Sequence, residues 1–304
     1  MSGLVLLVLC YGLLAVFLAG FLGRSIWIAR LPVHLRWELA PVPKEKTRGR
    51  YGGSYFETYE WWKQPREESL LGELVYMGKE IVFLKALWEH NRKVWWFSFP
   101  FHVGLYLLMA ATGVLVLGGL LTVAGAATVG ETLLHAWLPV LVGVGCGLGA
   151  VGALGLFASR LARWDLRAMT SGVAYFNLVL LLAVFVTGGL AVLTVPDFGA
   201  EVAGFAGKLL RADASAALPG LLAGHVLVSV AFLAYLPFSQ MMHFVAKYFT
   251  YHQVRWDDEP MAAGSHLEKE VLELLKQPVT WSAPHLKADG VKNWVDVATE
   301  EVEP

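Results

Sequence analysis

Several features are scarce or missing in this chain, and each absence removes a class of function. Cysteine occurs only twice, at Cys10 and Cys146, and both sit inside apolar stretches with no CxxC-type pairing. Two such residues cannot hold a sequence-local iron–sulfur cluster, and core packing is their expected role. Neither sign of charge dominates: 24 Lys+Arg against 25 Asp+Glu leave a net charge of -1. Nothing in that total points to nucleic acid, so the charges carry information only by position. The apolar stretches lack paired carboxylates, which argues against a proton-relay transporter. No internal repeat and no cytoplasmic catalytic motif is present. The first apolar run, Leu4 to Ile28, has no basic residue before it and no small-residue cleavage site after it. It reads as a span rather than a cleaved signal peptide.

What the chain does contain is hydrophobic length. Of its 304 residues 56% are hydrophobic, 12 are Trp, and the mean hydropathy is +0.54, which exceeds ordinary globular composition. Several windows pass about 18 apolar residues without a charge, the signature of membrane-spanning helices. The predicted fold is therefore an all-α integral membrane protein with five transmembrane helices. The spans are Leu4 to Ile28, about Phe97 to Val123, His135 to before Arg160, about Gly172 to Val195, and about Leu221 to Tyr248.

Charge position orients them. The segment from Arg24 to Lys93 carries Arg30, Arg36, Lys44, Lys46, Arg48, Arg50, Lys63, Arg66, Lys79, Lys85, Arg92 and Lys93, and a second basic loop carries Arg160, Arg163 and Arg167. Basic loops stay in the cytoplasm, so the N-terminus is expected outside and the C-terminus inside. The loop holding Glu131 has no Lys or Arg, as an outer loop should; the one from Pro196 to Pro219, with Lys208 and Arg211, is of mixed charge. Within the first cytoplasmic segment, Pro41, Pro43, Gly49, Gly52 and Gly53 mark an irregular stretch. Leu70, Leu74, Met77, Ile81, Leu84 and Trp88 then recur at steps of three and four, which predicts one amphipathic helix along the inner surface, with Trp88, Trp95 and Trp96 at headgroup level. The expected organisation is a five-span membrane domain over 1–251, including the cytoplasmic loop 30–95, and a cytoplasmic tail over 252–304. In the tail, Ser265 with Glu268 forms a capping box ahead of one helix bearing Leu267, Val271, Leu274 and Leu275, followed by acidic Glu300, Glu301 and Glu303.

Topology also sorts the nine histidines. His34, His90, His252, His266 and His285 fall in cytoplasmic segments, where a solvated or hydrogen-bonded ring is the default. His102, His135, His225 and His243 fall in or at the mouths of spans, where ionisable groups are functional candidates. His225 and His243 are eighteen residues apart. On a continuous helix that returns to the same face about five turns and ~27 Å further along, although Pro237 between them predicts a kink. By depth the four form two pairs, His102 with His243 near the inner surface and His135 with His225 near the outer. Two neutral imidazoles facing one another across a bundle are the ligand set of a low-spin b-type haem; hydrogen bonding across helices is the bland alternative. Gly104, Gly113, Gly118, Gly119 and Gly224 could serve close helix approach or the flat face a macrocycle needs.

FHVG at Phe101 to Gly104, RAMTSG at Arg167 to Gly172, and His225 to His243 with LPFSQMMH at its end resemble the cytochrome b (gamma) subunit of respiratory nitrate reductase. KEIVFLKALWEHNR, Lys79 to Arg92, is similar to the branch found in heterodisulfide-reductase-like and sulfite-reductase-associated membrane complexes. The resemblance covers about Leu4 to Tyr251. It implies two stacked haems b, menaquinol or another quinone as the lipid-side substrate, a cytoplasmic iron–sulfur partner subunit, and a prokaryotic inner-membrane location. It carries over His102 and His243 as ligands of the inner haem and His225 as a ligand of the outer one. Where the nitrate reductase branch has a further histidine, this chain has Thr112, so the outer haem either uses His135 with His225, as their shared depth favours, or is absent, leaving one haem at minimum. A haem-free membrane anchor and a proton-coupled transporter are the rival functions.

Overall fold

The computed structural model describes residues 2–31, 57–64, 70–251, 263–281 and 290–300. His34, His252, His285, the Pro/Gly stretch from Pro41 to Gly53, the basic residues Arg36, Lys44, Lys46, Arg48, Arg50 and Arg66, and the acidic Glu301 and Glu303 lie outside them. The chain forms two compact units, one of Met1–Leu22 with Lys79–Gln240, the other of Gly23–Gly78 with Met241–Pro304.

The fold is all-α. Among the described residues, five helices are long and apolar enough to cross a membrane: α1 (Gly3–Ala29), α4 (Arg92–Val123), a continuous helical run containing α5 (Ala127–Thr132) and α6 (Leu138–Ala162), α8 (Gly172–Thr194), and α10 (Gly220–Tyr235) with the turn that follows it. Short helices join or flank them: α2 (Leu70–Val82), α3 (Lys85–His90), α7 (Trp164–Ala168) and α9 (Phe198–Leu210). Helices suit this environment because every backbone donor and acceptor is satisfied within the segment. Large apolar side chains such as Leu18, Met109, Val116, Leu120, Val151 and Leu193 are exposed, an arrangement suited to hydrocarbon rather than water.

In the first unit, helices consecutive along the chain pack side by side, α4 on α6, α6 on α8 and α8 on α10. The α4–α6 approach is close enough to need glycine: a Cβ at Gly104 would lie 2.6 Å from the Gly145 carbonyl oxygen and 2.6 Å from the Gly149 nitrogen. Gly104 and Gly118, whose Cβ would strike Leu134, are helix-packing residues, whereas Gly113, Gly119 and Gly224 meet nothing within 4 Å. On the other side, Leu6, Leu7 and Cys10 of α1 share a buried cluster with Phe205 of α9 and with Ala223 and Val230 of α10. The Tyr11 hydroxyl donates to the Leu209 carbonyl. Cys10 and Cys146 are both buried free thiols.

Four boundaries differ from the sequence reading. First, the amphipathic segment is two helices, because Leu84 turns left-handed with φ 52°. The carbonyls released there are taken by the Tyr106 hydroxyl, 2.6 Å from Ile81 O, and by Trp95 Nε1, 2.8 Å from Phe83 O. Second, the second span starts at Arg92 and the third at Ala127 rather than at His135. Third, the outer loop holds a 13-residue helix, α9. Fourth, the fifth span is not continuous to Tyr248. Pro237 has no N–H to give and its ring crowds the preceding turn. The α-helix ends at Tyr235, two 3₁₀ turns follow at Leu236–Phe238 and Gln240–Met242, and Ser239 between them is extended. The same-face relation drawn from an eighteen-residue spacing therefore does not hold.

In the second unit, α11 (His243–Tyr251) opens on His243. α12 (His266–Leu275) begins with the Ser265 hydroxyl accepting from Glu268 N at 3.1 Å, and the Glu268 carboxylate accepts from Gly264 N rather than from the cap residue. Leu267 and Val271 are its buried face, with Leu275 against them. A further helix, α13 (Trp294–Thr299), carries a full capping box between Asn293 and Asp296, so the described residues of the tail form two helices where one was expected.

Candidate functional site

The four histidines that the sequence places in or at the mouths of spans are presented in different ways, and His243 falls beyond the fifth span, which ends at Phe238. His102 is the eleventh residue of α4 and half-buried. Its Nδ1 lies 2.7 Å from the carbonyl oxygen of Ser98, one turn back on the same helix. A carbonyl only accepts, so Nδ1 must carry a proton, which in the neutral ring puts the lone pair on Nε2. The ring lies edge-on to Phe101 and tilted to Tyr106.

His225, the sixth residue of α10, is half-buried and turned toward α8. Its Nδ1 is 3.0 Å from the hydroxyl of Thr187, and a Cβ on Gly188 would lie 2.8 Å from its Cε1 and 2.8 Å from the Cys146 sulfur. One turn along α10, the Ser229 hydroxyl is buried without a hydrogen-bond partner among the described residues. Further down the same helix pair, the Tyr235 hydroxyl donates to Asn177 Oδ1 at 2.8 Å, a buried polar contact of the kind that fixes helix pairs in membranes.

His135 lies nine residues into the third span and not at its mouth. It sits in a π-helical turn, Leu133–Trp137, between α5 and α6. π-turns interrupt a helix at an energetic cost and recur at functional sites. α9 presses on this turn: a Cβ on Gly199 would come within 3.2 Å of the His135 Cα. The side chain is exposed. His243 is also exposed and is the first residue of α11, in the second unit. Thr112 hydrogen-bonds back to Leu108 O at 3.0 Å, the ordinary fate of a helical threonine. Among the described residues no three His, Cys, Asp or Glu side chains gather as a multidentate metal site would require. A haem iron asks the chain for only two.

The donor chemistry fits such an iron. His102 is oriented through Nδ1 by the Ser98 carbonyl, and this orientation of a ligand through its second nitrogen is the usual arrangement at metals. The sequence pointed to His102 and His225 but not to Ser98, Thr187 or Gly188. Ser98 stands one turn before His102 and could have been read from that spacing; Thr187 and Gly188 come from another helix, and no local signal leads to them.

The family model described as nitrate reductase gamma subunit matches residues 86–257. The chain belongs to the nitrate reductase gamma subunit family. Neither the curated proteins nor the solved structures yield a match. Members of this family are membrane cytochrome b subunits in quinone-linked electron transfer within an oxidoreductase complex, with haem b as cofactor. The matched region begins in α3, covers the four packed helices that carry His102, His135 and His225, and extends past His243. It omits α1.

The α6–α8 connection is the basic end of this bundle. Arg163 grips Asp165 through two bonds, of 2.6 and 3.3 Å, and this pairing holds the Asp165 carboxyl below the usual aspartate range. Arg167 caps the Leu161 carbonyl at 3.4 Å.

Proposed function

We propose that this gamma-type subunit carries two haems b, with His102 and His243 as ligands of an inner group and His135 and His225 as ligands of an outer one. It would exchange electrons between menaquinol or another quinone and an iron–sulfur subunit in the cytoplasm. A heterodisulfide-reductase-like partner is favoured by the KEIVFLKALWEHNR segment. The observation that carries the reading is the orientation of the half-buried imidazole at His102 within an apolar span: its Nδ1 lies 2.7 Å from the Ser98 carbonyl, the anchoring through the second ring nitrogen that histidine ligands of metals use. Haem b with two imidazole ligands supplies one-electron transfer and no open position for oxygen chemistry.

The chain's own residues supply position and polarity. Arg92, Lys93, Arg160, Arg163 and Arg167 crowd one end of the bundle and Glu131 stands at the other. This favours the basic end in the cytoplasm of a prokaryotic inner membrane, the N-terminus outside and the C-terminus inside. In that orientation His102 lies toward the partner side and His225 toward the outer surface. A quinol oxidised near the outer surface would release its protons there while its electrons travel inward, which makes the transfer charge-separating. The membrane domain is assigned to 1–251 and the docking tail to 252–304.

Reduced-minus-oxidised optical spectra with haem quantitation on the purified full chain test this. Two b-type haems per chain are expected, with His102→Ala and His225→Ala each losing a different one. Absence of a b-type band would overturn the reading and leave a membrane anchor. One haem per chain, or retention of both in His135→Ala, would remove His135 from the ligand set.

A further inference from the structure

His225 is held by a different element from the one that carries it. We infer that Thr187 is the positioning residue of His225, fixing its tautomer and ring plane from α8; this rests on the proposal that His225 is an axial ligand.

Proton counting supports it. The Thr187 hydroxyl has one hydrogen, and its oxygen lies 2.7 Å from the Ala183 carbonyl and 3.2 Å from the Val184 carbonyl. Those oxygens only accept, so the hydroxyl proton is committed to them. The same oxygen lies 3.0 Å from His225 Nδ1, and a bond there needs a hydrogen from the ring. Nδ1 is therefore protonated and Nε2 bears the lone pair. A hydroxyl already donating to a carbonyl is a strengthened acceptor, since linked hydrogen bonds polarise one another.

Steric fit points the same way. A Cβ at Gly188 would sit 2.8 Å from the ring Cε1 and 3.2 Å from Nε2, so only glycine lets the imidazole edge lie this close to α8. The two intramembrane rings are thus governed differently. His102 takes its acceptor from its own helix, at Ser98, and keeps its orientation wherever α4 goes. The orientation of His225 depends on the α8–α10 register. An acceptor on Nδ1–H makes the imidazole a better electron donor to a metal, which stabilises the oxidised state. Removing it should make the associated haem easier to reduce.

The experiment compares Thr187→Val, Thr187→Ala and Thr187→Ser with wild type and His225→Ala in the purified full chain, reading haem occupancy, optical bands and both midpoint potentials. In the valine and alanine variants, the midpoint of the haem that His225→Ala removes is expected to rise, or its occupancy to fall at least twofold, with the other haem unchanged. Serine should restore the wild-type values. Unchanged potentials, bands and occupancy in both the valine and alanine variants would overturn the Thr187 role while His225→Ala still loses a haem. If His225→Ala loses none, the ligand assignment itself fails and the positioning role falls with it. Should the valine variant misfold, alanine keeps the comparison open, because it removes the acceptor without adding volume.

Discussion

At the scale of single residues, the molecule is most sensitive where a ring or a backbone occupies the space of an absent side chain. Gly149 is the clearest case: a Cβ there would lie 2.4 Å from Cε1 of Phe185, which is itself fully buried. Phe185 packs edge-on to Phe101, the residue before His102. Overpacking of a filled core typically costs about 1–3 kcal/mol. Gly149→Val is therefore expected to lower the thermal midpoint in detergent and to perturb the haem assigned to His102 more than the one assigned to His225. A variant with both haems unchanged and the same midpoint would show that the α4–α6–α8 contact yields freely. His102 and His225 were legible in the sequence because an ionisable group in an apolar run is conspicuous. Their hydrogen-bond partners were not equally legible: Ser98 is local, whereas Thr187 meets His225 only because α8 packs against α10.

At the scale of elements, the long apolar runs announced themselves while shorter helices did not. α9 was hidden by the mixed charge between Pro196 and Pro219, although Phe198, Val202, Phe205 and Leu209 recur at steps of four, three and four. α13 was signalled by Asn293 and Asp296 at capping-box spacing but is too short for periodicity to register. The break at Leu84 had no sequence signal of any kind. It exists because Trp95 and Tyr106, from α4, take the carbonyls that the break releases, a tertiary override of a regular pattern. The π-turn at His135 is equally invisible, since an extra residue in a helix changes no composition. One element-level prediction concerns α13. Its cap satisfies Val295 N and Asp296 N, both at 2.9 Å from Asn293 Oδ1. Loss of such a cap costs about 1 kcal/mol. Asn293→Ala should speed amide hydrogen exchange across α13 several-fold while α12, capped by Ser265, stays as it was.

For the whole molecule, five spans were readable from hydropathy, and the proposed orientation rests on the basic residues gathered in two of the connections. Orientation can be checked because both native thiols, Cys10 and Cys146, are buried and should stay silent toward a membrane-impermeant reagent. Glu131→Cys is expected to label in intact cells and Asp165→Cys only after permeabilisation; the reverse pattern would invert the topology and with it the direction of charge separation. Asp165 has a further use. Its carboxyl is held low by Arg163, so its folded-state value lies under the unfolded one. Whatever it contributes is present above the ordinary aspartate range and is lost as pH falls through the lowered value. Acid should therefore free Arg163 and leave the orientation signal intact, because the positive charges remain.

The interruption at Pro237 also changes the electric field at His243. On an unbroken helix running to Tyr248, this histidine would sit near the C-terminal end, where aligned peptide dipoles present roughly half a negative charge. Because α-helix resumes only at His243, the ring stands instead at the first turn of α11, the end that presents roughly half a positive charge. If His243 holds a haem as proposed, an electron arriving beside it would meet attraction where a straight helix would have offered repulsion.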